Sequence, residues 1–151
     1  MALLLGLLGD EKTIEADAPY RDQSSLVQAV VSDSGPLDLL YQHQHARLRT
    51  VVEEFMGRPP DGPADAPYKL ASPSSHVSAK APPLMLIYGE ADGQVPVETA
   101  DEFVVALDRA RLKEVSYHRL GGVDHCPHSL IRVSWLVPAV NEFFQRTLAR
   151  R

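Results

Sequence analysis

Leu84-Met85-Leu86-Ile87-Tyr88-Gly89-Glu90-Ala91-Asp92 is the stretch that decides the fold. Its apolar run is too short for a helix and shows no polar alternation. It reads as a strand over 84–88, buried on both faces as in a parallel sheet and closed by a glycine. Asp92 then falls in a tight turn just past the strand's carboxyl end.

The neighbouring segments fit the same architecture. Glu98 to Arg109 has helical spacing, with Phe103, Val104 and Leu107 facing inward. Val115 to Leu120 reads as another strand. Ser129 to Leu148 reads as a long helix with Leu130, Val133, Leu136, Val137, Val140 and Phe144 on one face. Upstream, residues 58 to 83 hold seven prolines and form a long connection with a helical turn near Tyr68 to Ala71. Residues 37 to 57 have helical spacing and close at Gly57, a natural C-cap. Leu26 to Val31 is a short buried strand ended by the turn Ser32-Asp33-Ser34-Gly35-Pro36. Leu3-Leu4-Leu5-Gly6-Leu7-Leu8-Gly9 has no polar face and reads as a fully buried helix without an N-cap.

Strands alternating with helices imply an α/β fold with a parallel sheet. The chain has 151 residues, 44% apolar and 23% charged, which suits one compact domain over 1–151 and excludes wholesale disorder. No apolar run reaches the roughly 18 residues of a membrane span. The net charge of −5 argues against a nucleic-acid surface. A single cysteine, Cys126, excludes a disulfide framework. No basic leader precedes the first apolar residues, so a cytoplasmic protein is expected.

In an open parallel sheet, functional groups gather beyond the carboxyl ends of the strands. Strand 84–88 leads to Asp92, and strand 115–120 leads to Gly121-Gly122-Val123-Asp124-His125. A carboxylate and an imidazole placed there can meet above the sheet. The carboxylate would hold the imidazole's tautomer, and the imidazole would act as general base.

These segments resemble the C-terminal half of α/β-hydrolase esterases, the group that includes feruloyl esterases and prolyl-oligopeptidase-like peptidases. Leu86-Ile87-Tyr88-Gly89-Glu90-Ala91-Asp92 with Val95-Pro96 is similar to that family's acid loop. Gly121-Gly122-Val123-Asp124-His125 is similar to its histidine loop. Gly35-Pro36-Leu37-Asp38-Leu39, Ala71-Ser72-Pro73 to Val77, and Leu3 to Gly9 resemble flanking segments, the last being the helix after the nucleophile elbow. The resemblance implies a serine-type carboxylesterase of short acyl esters, needing no cofactor, with His125 as base and Asp92 as its orienter. The family's nucleophile lies in G-x-S-x-G, and that motif does not occur in this sequence.

Ser34 is the candidate nucleophile, since it follows strand 26–31 at the same sheet edge. The oxyanion hole would then come from backbone N–H groups near Gly35. A plain turn serine is the competing reading of Ser34, and Ser32 is a weaker candidate. Cys126 beside His125 is a further nucleophile candidate, although adjacent side chains point apart. Asp124 competes with Asp92 as the orienting acid. His43 and His45, with His125 and His128, raise the question of a metal, but His43 and His45 do not share a helix face. No metal site is expected.

The resemblance covers the last three strands of a larger sheet. A truncated α/β-hydrolase fold would leave strand 26–31 as an open apolar edge, which proteins usually pair or cover. Homodimerisation through strand 26–31 and the N-terminal helix is therefore expected. Besides an active esterase, a catalytically dead dimerising or binding module and a truncated reading frame fit the same residues.

Overall fold

The computed structural model describes residues 1–9, 19–20, 22–45, 47–126 and 133–149. Among these residues three parallel strands, β1 (Val30–Asp33), β2 (Leu84–Gly89) and β3 (Val115–Leu120), lie in the order β1-β2-β3. Val30 pairs with Leu84 and Leu84 with Val115, so the strands start level. The helices are α1 (Ala2–Leu8), α2 (Leu39–Gln44), α3 (Arg49–Met56), α4 (Ala66–Leu70), α5 (Val97–Arg109) and α6 (Leu136–Leu148).

β2 is buried at all six positions. Its side chains alternate across the sheet, as the pleat dictates. Leu84, Leu86 and Tyr88 join Leu3, Leu7, Phe103 and Leu107 on the face covered by α1 and α5. Met85 and Ile87 join Leu136 and Phe143 on the face covered by α6. Each buried Leu, Ile or Phe side chain contributes about 1.5–3 kcal/mol, so this central strand anchors both layers. α1 presses close on β1: a Cβ at Gly6 would come within 2.5 Å of Val30 Cγ2. A third, smaller core of Leu39, Val52 and Tyr68 ties α2, α3 and α4 together.

Several boundaries differ from the sequence reading. The expected strand 26–31 is β1 at Val30–Asp33, because the ladder with β2 carries on through the polar Ser32 and Asp33. The expected helix over 37–57 is two helices. Asp38 caps the first by accepting from Tyr41 N, and His45 turns extended at φ −82°, ψ 119° and stops it. The first helix is not fully buried: Leu3 and Leu7 are inside, whereas Leu5 is 46% exposed. The long C-terminal helix spans Leu136–Leu148 among the described residues. Leu130 and the start at Ser129 lie outside them. No helix is long and apolar enough to cross a membrane among the described residues.

One carboxylate ties together the first part of the proline-rich connection. Asp65 caps α4 by accepting from Tyr68 N at 3.2 Å and also accepts from Asp61 N at 2.7 Å. Arg58 grips it with two guanidinium nitrogens, at 2.7 and 3.0 Å. The Arg58 hydrogen bonds, with those N–H donors, hold the buried Asp65 carboxyl well below the usual carboxylate range, at about 2.

Candidate active site

The loops after β2 and β3 are fastened together from the strand ends upward. Glu90 N donates to Leu120 O at 2.9 Å, and Ala91 N donates to Val123 O at 2.9 Å. Gly89 lets the two backbones approach closely. A Cβ there would fall on the carbonyl oxygen of Val123 and 2.7 Å from that of Asp124. Gly93 N donates to Asp124 Oδ1 at 3.3 Å.

This frame brings Asp92 and His125 together. Asp92 Oδ2 accepts from His125 Nδ1 at 2.8 Å. Asp92 Oδ1 accepts from Gln94 N and Val95 N, both at 2.8 Å. The Asp92 side chain is fully buried and that of His125 is 24% exposed. A buried carboxylate without partners would cost several kcal/mol; here two amides and an imidazole satisfy it. An ionised carboxylate only accepts, so Nδ1 is the donor in this bond, and in the neutral ring Nε2 then carries the lone pair. Nε2 has no hydrogen-bond partner among the described residues. The bond to Nδ1 therefore orients the ring of a part-exposed imidazole whose neutral form can take a proton at Nε2, as a general base must.

Asp124 does different work. Its Oδ1 accepts from His125 N at 2.6 Å and from Gly93 N. These amides hold its carboxyl below the ordinary range. It braces the loop backbone, and the imidazole bonds to Asp92 instead.

Ser34 reaches the site, but through another bond. Its Oγ accepts from Cys126 N at 3.1 Å and donates to Asp33 Oδ1 at 3.2 Å. No hydrogen bond joins it to His125 among the described residues. Ser34 is 2% exposed and lies at φ 50°. A non-glycine residue held there costs about 1–3 kcal/mol, tolerated only where the surroundings enforce it. Enforcement comes from Ser34 N donating to Ile87 O and from the Tyr88 hydroxyl donating to Gly35 O at 2.7 Å. Sequence reasoning overlooked Tyr88 as part of this assembly; it reads simply as a core aromatic at a strand end.

The remaining candidates lie elsewhere or point elsewhere. Ser32 is buried within β1. Cys126 adopts φ 56°, and burial pushes its thiol up, away from the reactive thiolate. His43 Nε2 pairs with Glu53 at 2.7 Å, and the His45 ring packs on Tyr41. His128 lies outside the described residues.

The chain is similar to known hydrolases along most of its length. The mycobacterial esterase LipQ, from Mycobacterium tuberculosis, is 28% identical over 99% of this chain and 33% of its own length. Esterase LipC of the same organism is 30% identical over 83% of this chain and 31% of its own length. The chain thus spans about a third of the length of these relatives. Among solved structures, an acetyl ester-xyloside bifunctional hydrolase from Caldicellulosiruptor lactoaceticus superposes with a TM-score of 0.73 at 22% identity, over 96% of this chain and 52% of that one. The esterase Est2 of Thermogutta terrifontis superposes with a TM-score of 0.66 at 22% identity, over 88% and 47%. These neighbours establish a partial α/β-hydrolase fold. The BD-FAE family model matches residues 1–107, from α1 through the acid loop and most of α5. His125 lies beyond the matched residues, on a loop that the matched acid loop holds in place. On that match, the chain belongs to the BD-FAE family.

Proposed function

We propose that this chain carries the acid–base half of a serine-type carboxylester hydrolase acting on short acyl esters. His125 is the general base and Asp92 its orienter. One observation carries the reading: the 2.8 Å bond between Asp92 Oδ2 and His125 Nδ1, which leaves Nε2 unpartnered among the described residues. The esterase names of the relatives agree with it.

In the reaction, Nε2 takes the proton from a serine hydroxyl as its oxygen attacks the ester carbonyl. The imidazolium, stabilised by Asp92, then gives that proton to the departing alkoxide. Water repeats the sequence on the acyl-enzyme and releases the acid. Ser34 was the sequence's candidate for the attacking hydroxyl. To serve, it would have to leave Asp33 and Cys126 and turn its proton toward Nε2.

Hydrolysis of p-nitrophenyl acetate and butyrate by the purified protein, beside His125→Ala, tests the reading. Turnover that falls to background in His125→Ala supports it. Equal rates in both proteins would sink it. A fluorophosphonate probe with peptide mapping then locates the attacking serine.

A second reading is favoured by the engagement of the Ser34 hydroxyl. Here the fold is a non-catalytic module that pairs with a second copy through β1. Since Val30 N and Ser34 N point to β2, the intervening Val31 and Asp33 turn their backbone groups to the outer edge. Light scattering at micromolar concentration decides this point; a strictly monomeric mass defeats it.

A further inference from the structure

We propose that Ser34 is a positioning residue for His125, acting through the backbone N–H of Cys126. The inference rests on the reading of Asp92 and His125 as an acid–base pair, and it assigns Ser34 a role other than nucleophile.

The bond from Cys126 N to Ser34 Oγ joins residues 92 apart in sequence. It ties the histidine loop, which follows β3, to the turn that follows β1. His125 is then held at three points: its ring by Asp92, its own N–H by Asp124, and the next N–H by Ser34. The ring bond alone would leave the imidazole free to swing about Asp92. Fixing the backbone on both sides of the Cα removes that freedom and sets the direction of Nε2.

Ser34 is itself built to hold. Its left-handed backbone is kept by Ile87 and Tyr88 of β2, through Ser34 N and Gly35 O. The same strand leads directly into Asp92. β2 therefore fixes the Ser34 turn and the acid loop together, and the histidine loop spans between them. Cys126 is also left-handed, at φ 56°, so the peptide that Ser34 grips has a strained residue to relax once released. A nucleophile would need the opposite use of this hydroxyl, with its proton directed at Nε2. Here the proton is directed at Asp33 and a lone pair is spent on Cys126 N.

The test compares wild type with Ser34→Ala and Ser34→Gly by NMR on the isotopically labelled full chain. Alanine removes the acceptor and keeps the Cβ; glycine removes the acceptor and suits the backbone angle. Both should speed amide exchange of Cys126 by about tenfold or more. Both should shift or broaden the His125 Nδ1–H resonance, while Gln94 and Val95 amides stay protected. If one variant fails to fold, the other decides. Wild-type exchange and an unmoved resonance in the folded variants would overturn the proposal, as would a fluorophosphonate adduct on Ser34. Ester hydrolysis is read separately: an inert wild type refutes the esterase reading, while the resonances still report whether Ser34 holds the loop.

Discussion

Two buried aspartates organise two regions of this molecule with nearly the same wiring. Asp65 accepts from Asp61 N and Tyr68 N and from Arg58. Asp92 accepts from Gln94 N and Val95 N and from His125. Each uses two backbone amides and one cationic or potentially cationic side chain. They differ in that last partner. A guanidinium never gives up its proton at ordinary pH, so the Arg58–Asp65 knot can only hold structure. An imidazole can release and recover its proton, so the Asp92–His125 knot can also do chemistry. The spans differ as well. Arg58 is seven residues from Asp65, a local staple. His125 is 33 residues from Asp92, and the bond ties the ends of two strands.

The sharpest way to separate the knots is the same substitution in both. Asp92→Asn would keep the shape of the site while its amide favours the wrong imidazole tautomer, and a loss of about 10⁴ in kcat is expected. On the same reading, Asp65→Asn would leave kcat for p-nitrophenyl butyrate within about twofold, since the Asp92–His125 bond is untouched. Equal losses in kcat would mean that Asp92 acts only as scaffold.

A glycine from each region gives the next largest contrast. Gly89→Ala drives a methyl group onto the Val123 carbonyl and should cost about 1–3 kcal/mol or more, with loss of the His125 Nδ1–H resonance. Gly62 has φ +81° and no atom within 4 Å of a Cβ. Gly62→Ala then carries the left-handed penalty alone, about 1–2 kcal/mol. Chemical denaturation measures both, and only Gly89→Ala should disturb the histidine.

The difference between the knots also explains what the sequence could reveal. β2 was legible because burial on both faces leaves an uninterrupted apolar run. The meeting of Asp92 and His125 was legible because each follows a strand end, and the ends of neighbouring parallel strands lie side by side. The grip of Ser34 on Cys126 was not, since its partner is 92 residues away and nothing in Asp33-Ser34-Gly35 announces a left-handed serine. The Arg58–Asp65 knot was hidden for another reason. It sits among prolines, where no periodicity exists, and it depends on a bidentate geometry that spacing does not encode. The single helix expected over 37–57 failed because its apolar period continues on both sides of His45, where the backbone breaks.

Acid separates the knots more finely. Asp65 titrates near 2 in the folded chain, against 3.8 ordinarily. Its contribution is fully present above the ordinary value and is lost as pH falls from there through about 2. At neutral pH, Asp65→Asn should lower Tm by about 3–6 °C, as losing a helix cap and its partners does. That gap to wild type should close as pH falls toward 2. A gap that stays constant down the pH series would show that the Asp65 charge contributes nothing.

The smallest contrast uses two tyrosine hydroxyls. Tyr68 donates to Arg58 O and Tyr88 to Gly35 O, both at 2.7 Å. Each Tyr→Phe change leaves one carbonyl short of a donor and should cost about 1 kcal/mol by denaturation. Equal costs in stability need not mean equal consequences. Tyr68→Phe loosens only the turn that Arg58 and Asp65 hold together, so the Cys126 amide should keep its wild-type exchange. Tyr88→Phe removes one of the two bonds that keep the Ser34 turn left-handed, and the release passes through Ser34 Oγ to Cys126. Faster exchange at Cys126 in Tyr88→Phe, absent in Tyr68→Phe, marks a hydroxyl that supports the site from below. Matching exchange in the two variants would confine the Tyr88 hydroxyl to the stability of the core.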